Sequence, residues 1–298
     1  MSAAEVRIPF RGHETWTRVV GAGEEPGRLP VLCLHGGPGA THWYLEPLEA
    51  LAGTGRRAVF YDQLGCGASS QPHDPSLWTV ELFVDEVDAV RTALGLERLH
   101  LFGNSWGGML AMEVALERPE WLASLVLASS PASIPQWVEE TGRLRARLPE
   151  DVQATLARHE EAGTTDSPEY EEACLVFYRR HVCRLDPWPE CVNRAFAELS
   201  REVYETMNGP SEFHVTGTLR EWSVVDRLGE IDVPALVVSG EHDEATPAIA
   251  RTVHEGIPGS ELVILDGCSH MAHVEQPERY IALLDGFFSR VEAVSSLQ

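Results

Sequence analysis

The chain opens on two short alternating runs, EVRIPF (5–10) and TWTRVV (15–20), separated by RGHE. Period-two alternation around a Gly-containing connection predicts an exposed antiparallel hairpin. After the Gly/Pro-rich loop GAGEEPGRLP the pattern changes to compact apolar runs. VLCLHG (31–36), RAVFYD (57–62), LHLFGN (99–104), SLVLAS (124–129), ALVVSG (235–240) and ELVILD (261–266) are rich in Val, Ile and Leu, and each ends in Gly, Asp, Asn or Ser. Strands buried on both faces read this way. They alternate with amphipathic stretches such as VELFVDEVDAVRTALG (80–95), which predicts a mostly parallel sheet with helices on both faces.

One interval departs from the rhythm. Between residues 131 and 228 no buried strand stands out. The segment reads as helices rich in Glu, Arg, Ala and Leu, punctuated by Pro149, Pro168, Pro187, Pro189 and Pro210. The expectation is a helical cap over residues 131–228, inserted into a catalytic unit built from 1–130 and 229–298. Such an insert would lie over the carboxyl edge of the sheet, where open α/β sheets bind ligands.

Composition narrows the chemistry. The 298 residues are 44% hydrophobic, enough for one large core. Against 46 acidic side chains stand 23 basic ones, for a net charge of -23, and every basic one is arginine. Such a surface repels nucleic acid and anionic lipid, so neither is an expected partner. Without lysine there is no Schiff-base lysine, no Ser–Lys dyad and no P-loop. The N-terminus lacks the pattern of a signal peptide, and no apolar run reaches the length of a membrane span. Six cysteines without a CxxC pair read as free thiols, so a cytoplasmic protein is expected. No metal or cofactor is called for.

The motif Gly103-Asn104-Ser105-Trp106-Gly107 matches G-x-S-x-G. It sits between a strand signal and the apolar helix signal MLAMEVALERPE, the setting of a nucleophile elbow. A serine needs a base and an orienting carboxylate to attack at neutral pH. In this α/β-hydrolase arrangement the chain order is Ser, acid, His. Asp243 follows the strand ALVVSG and His270 follows ELVILD, so these complete a triad, with Asp266, His273 and His242 as competitors. Two backbone N–H groups should hold the oxyanion. Trp106, directly after the nucleophile, supplies one, and Gly37 of the loop His35-Gly36-Gly37-Pro38-Gly39 supplies the other. Cys268, two residues before His270, reads as a packing residue that could also confer sensitivity to thiol reagents.

HGGPG, DQLGCGAS (62–69), GNSWGG (103–108), GEHDEATP (240–247) and GCSHMAHVEQPE (267–278) together resemble the proline iminopeptidases, α/β-hydrolases that remove an N-terminal residue from small peptides. The segment MNGPSEF (207–213) resembles one found in that family and in related amino-acid amidases. The resemblance implies that Glu212 and Glu244 bind the substrate's free ammonium; Gly36 and the cap aromatics Tyr204 and Phe213 are further candidate substrate contacts. The implied partner is a small peptide or amino-acid amide with a free N-terminus. Leu64 departs from the family's frequent arginine, and Asn104 from its frequent glycine. Alternative readings are an amino-acid amidase or small-ester hydrolase with the same triad, and a non-catalytic receptor on the same fold.

Overall fold

In the computed structural model, which describes residues 2–295, the opening hairpin is β1 (Ala3–Phe10) and β2 (His13–Val20). Arg11 and Gly12 close it in two residues, both at positive φ (47° and 84°), the backbone that matches the twist of paired strands. The six apolar runs form β3 (Val31–Leu34), β4 (Ala58–Tyr61), β5 (Leu99–Asn104), β6 (Leu122–Ala128), β7 (Ala235–Gly240) and β8 (Glu261–Leu265). One eight-stranded sheet results, in the order β1-β2-β4-β3-β5-β6-β7-β8. β1 and β2 pair antiparallel, as does β2 with β4, and β4 onward is parallel.

Strands β3 to β7 are buried along their whole length, which explains why they read as continuous apolar runs rather than alternating ones. Helices α1 (Val80–Ala93) and α2 (Trp106–Leu116) cover one face, with Phe83, Val87 and Leu110 in that core. Thr79 caps α1 by accepting from Leu82 N. Between β6 and β7 lie α3 (Ile134–Arg145), α4 (Glu150–Ala162), α5 (Pro168–His181), α6 (Glu190–Ala197) and α7 (Arg201–Met207). Among the described residues no named strand interrupts them. α8 (Pro247–Gly256), α9 (Ala272–Glu275) and α10 (Pro277–Ser295) complete the chain, and the far face packs on Tyr280, Leu284 and Phe288 of α10. Among the described residues, no helix is long and apolar enough to cross a membrane.

Candidate active site

Strand β5 delivers its last residue, Asn104, to the carboxyl edge of the sheet, where the chain turns abruptly into α2. Ser105 stands on that turn at φ 56°, ψ -123°, a strained backbone for a residue with a side chain. The Ser105 N–H donates to Ala128 O at 2.9 Å, so the neighbouring strand holds the strained residue in place. The surrounding glycines have no substitute. A Cβ on Gly103 would lie 2.1 Å from Gly107 O, one on Gly107 would lie 2.2 Å from Leu34 O, and one on Gly108 would lie 1.8 Å from Ser130 Oγ.

Asp243, in the loop after β7, is buried. Its Oδ1 accepts from Ala245 N and from His270 Nδ1, each at 2.8 Å, and its Oδ2 accepts from Ser239 Oγ at 3.2 Å. With Nδ1–H directed at Asp243, the His270 Nε2 lone pair is left facing the cavity as a base. Ser105 and His270 line the same cavity, and no hydrogen bond joins them among the described residues. The competing residues sit elsewhere. His273 donates from Nε2 to Tyr44 O at 3.0 Å, and burial lowers its pKa to about 4. Asp266 pairs with Arg279 on the surface, and His242 lies on the rim beside Glu241.

Gly37 takes φ +108°, where a Cβ would press to 2.6 Å on Gly39 N. The preceding Gly36 N–H is already used, donating to Tyr44 Oη at 2.6 Å. Gly37 and Trp106 both border a small pocket that Ser105 also lines, and the Trp106 N–H lies in the first turn of α2, where N–H groups lack intrahelical partners.

Two glutamates line the same cavity as Ser105. Glu212 follows α7, accepts from Tyr204 Oη at 2.6 Å, and has its own carbonyl held by Trp137 Nε1 at 2.6 Å. Glu244 is buried, with Oε1 3.7 Å from His270 Nε2 and with Oε2 buried and unpartnered. Burial raises both carboxyl pKa values; repulsion from Glu212 and Asp243 raises that of Glu244 further, while the bond from Tyr204 partly offsets the rise at Glu212. Among the described residues neither carboxyl has an arginine partner, which leaves the electrostatic arrangement unfinished.

Ser105, Gly36, Gly37, Tyr204, Glu212, Glu244 and His270 line one cavity of about 470 Å³, whose outer walls come from α5, α6 and α7. Phe213, expected here, does not line it. It turns into a cluster between the helices, 4.9 Å from Phe177 and beneath the Arg145 guanidinium, because its backbone neighbour Glu212 takes the inward position. The Trp106 indole likewise faces Gln63 and Phe83. Cys268 is fully buried, its thiol pushed up to about 11; the cysteine on the cavity wall is Cys174, pushed up to about 12. Among the described residues no three His, Cys, Asp or Glu side chains are grouped to hold a metal. Tyr44, Gln63 and Trp137 were not anticipated from sequence, since single buried aromatic and amide residues carry no periodic signal.

Residues 30–277 match the family model described as alpha/beta hydrolase fold. The chain is 41% identical over 288 residues to a proline iminopeptidase of Lactobacillus helveticus, covering 95% of this chain and 97% of the relative. It is 38% identical to one of Saccharolobus solfataricus, over 90% of this chain and 87% of that one. Two solved structures superpose closely: proline iminopeptidase of Mycobacterium smegmatis (46% identity, TM-score 0.89, 98% of this chain and 100% of the other) and VinJ (46% identity, TM-score 0.93, 97% and 99%). The chain belongs to the proline iminopeptidase family of α/β-hydrolases.

Proposed function

We propose that this protein is a serine exopeptidase that releases an N-terminal residue, preferably proline, from small peptides through an acyl-enzyme. What carries the reading is the pair of glutamates that line one cavity with Ser105, with Glu244 Oε2 buried and unpartnered. Such an oxygen calls for a donor, and a cationic donor would also relieve the repulsion between the two carboxyls. A substrate ammonium docked on Glu212 and Glu244 meets both demands and sets its own first carbonyl near Ser105.

The proposed steps use this geometry. His270 Nε2 takes the Ser105 proton while Asp243 keeps the imidazole in the Nδ1–H form and stabilises the imidazolium. Ser105 Oγ attacks, and the N–H groups of Gly37 and Trp106 receive the charge that develops on the carbonyl oxygen. His270 returns its proton to the leaving amine, the amine departs, and water repeats the sequence on the ester. Residues 131–228 act as a cap over the catalytic unit of 1–130 and 229–298, since α5 to α7 wall the cavity. The six buried free thiols fit a reducing cytoplasm.

The test compares Glu212→Gln and Glu244→Gln on prolyl-naphthylamide and on a neutral ester of similar size. Each variant is expected to lose about 10²-fold or more in kcat/KM on the cationic substrate and far less on the ester. Equal losses on both would remove the ammonium-docking role. Ser105→Ala is expected to fold normally and be inactive on both.

A further inference from the structure

The segment Asp62-Gln63-Leu64-Gly65-Cys66-Gly67 supplies neither the triad nor the glutamate pair, yet every polar side chain in it is buried and bonded. Asp62, just past the end of β4, accepts from His42 N (2.9 Å), His42 Nδ1 (2.8 Å) and Ala68 N (2.9 Å). A Cβ on Gly67 would lie 2.2 Å from Asp62 Oδ2, so glycine there lets the loop close over the carboxylate. The folded loop carries Gln63 beneath the nucleophile elbow, fully buried.

Gln63 then bonds in two directions. Its Oε1 accepts from Trp106 Nε1 at 2.9 Å, and its Nε2 donates to His35 O at 2.9 Å. Its backbone N–H donates to His35 Nε2 at 3.0 Å. A backbone N–H can only donate, so His35 Nε2 is unprotonated and the ring proton is on Nδ1, which lies 3.0 Å from Gly36 O. In a trans peptide the N–H points opposite to the carbonyl. Anchoring Gly36 O therefore fixes the direction of the Gly37 N–H. Burial lowers the His35 pKa to about 4, which keeps this tautomer through the neutral range.

We propose that Gln63 is a positioning residue for the oxyanion hole, tying the arm that carries the Gly37 N–H to the arm that carries the Trp106 N–H. The inference rests on the assignment of those two groups as oxyanion donors. Its physical content is that the spacing of two donors on separate elements is held by one buried side chain, so that little reorganisation is needed when charge develops.

Gln63→Met keeps the length of the side chain and removes its hydrogen bonds. Three quantities are read: kcat and KM on prolyl-naphthylamide, inhibition by boroproline, and competition by pyrrolidine. Boroproline takes Ser105 Oγ onto boron as a tetrahedral adduct that places an oxygen in the hole, whereas pyrrolidine offers only the ammonium. The expected result is a fall in kcat of about 10- to 100-fold with KM within about twofold. Boroproline affinity should drop in step with kcat while pyrrolidine binding is unchanged. Loss of boroproline and pyrrolidine binding to the same extent, or an unchanged kcat, overturns the proposal. If Gln63→Met does not fold, Trp106→Phe removes the Nε1 donor together with part of the buried ring while keeping an aromatic side chain against Phe83, and the absence of the same selective loss there overturns it equally. Ser105→Ala separates the two readings. Turnover by that variant refutes the serine mechanism itself, whereas an inactive Ser105→Ala beside a fully active Gln63→Met refutes only the clamp.

Discussion

Ser105 at φ 56° is tolerable only because the glycines around it leave room, and those glycines make a sharp prediction. A methyl on Gly107 would stand 2.2 Å from Leu34 O and 2.8 Å from His35 O, both backbone atoms of the strand and loop that lead to Gly37. Neither can yield without moving the oxyanion loop. Gly107→Ala is expected to lower stability by about 3 kcal/mol or more and to lose activity even where it folds. Thermal melts together with esterase assays check this; a stable, active Gly107→Ala would mean that the elbow is looser than its contacts imply. At this scale the elbow that carries Ser105 was legible because its backbone geometry demands a fixed residue pattern. Asp243 and His270 could be named from chain order, and the structure brings them within 2.8 Å. Phe213 was misplaced because adjacent residues in an irregular loop point in unrelated directions, and sequence carries no signal for which one faces inward. Gln63 stands in the motif DQLGCGAS, but the sequence assigns it no role for a related reason. Its role lies in which two atoms it spans, a fact of tertiary structure alone.

At the scale of elements, α3 gathers several parts of the site. Ser133 caps it, accepting from Gln136 N. From there Trp137 donates to Glu212 O and sets its ring edge-on to His270, with centroids 6.1 Å apart. One turn on, Glu140 accepts from Thr246 Oγ1 at 2.7 Å, beside the loop that carries Asp243 and Glu244. The helix thus braces both glutamate loops and the base. Trp137→Phe keeps an aromatic ring but removes the donor to Glu212 O, a bond worth about 1 kcal/mol. The expected outcome is a KM for free-amine substrates raised about 3- to 10-fold, with a smaller change in kcat and little change on neutral esters. A fall confined to kcat would instead assign Trp137 to the base. Strands of this chain were readable because double-sided burial leaves unbroken apolar runs. The helices of 131–228 were readable only as a class. Their amphipathic pattern marks a buried face without saying which neighbour covers it, so the role of α3 could not be foreseen.

Across the whole molecule, two other buried carboxyls, Glu292 and Glu86, set opposite limits on stability. Glu292 on α10 is bonded by Arg28, Arg56, His100 and the Leu29 N–H, tying the last helix to the start of β3 and to β5. Burial alone would raise its pKa, but these donors outweigh it and hold the group at about 2. Its contribution is therefore complete above the ordinary glutamate value and is lost as pH falls toward 2. Glu86 on α1 behaves in the reverse sense. It is fully buried, bonded by Thr15 Oγ1 and Leu64 N with no ion-pair partner among the described residues, and burial pushes its pKa up to about 8. The folded protein keeps this proton between pH 4.5 and 8, where the unfolded chain has released it. Stability must then fall as pH rises through that window, by up to about 1.4 kcal/mol per unit from this group. Glu212 and Glu244, raised in the same way, add to the slope. Leu64 sharpens the argument, because an arginine at that position, frequent in the family, would bring a positive charge into the loop whose N–H bonds Glu86. Glu86→Gln should reduce the decline between pH 5 and 8 and leave the acid limb, to which Glu292 and Asp62 contribute, unchanged. Urea denaturation at several pH values decides it: parallel curves for parent and variant would mean that Glu86 is ionised in the folded protein at neutral pH and that a compensating charge lies close to it.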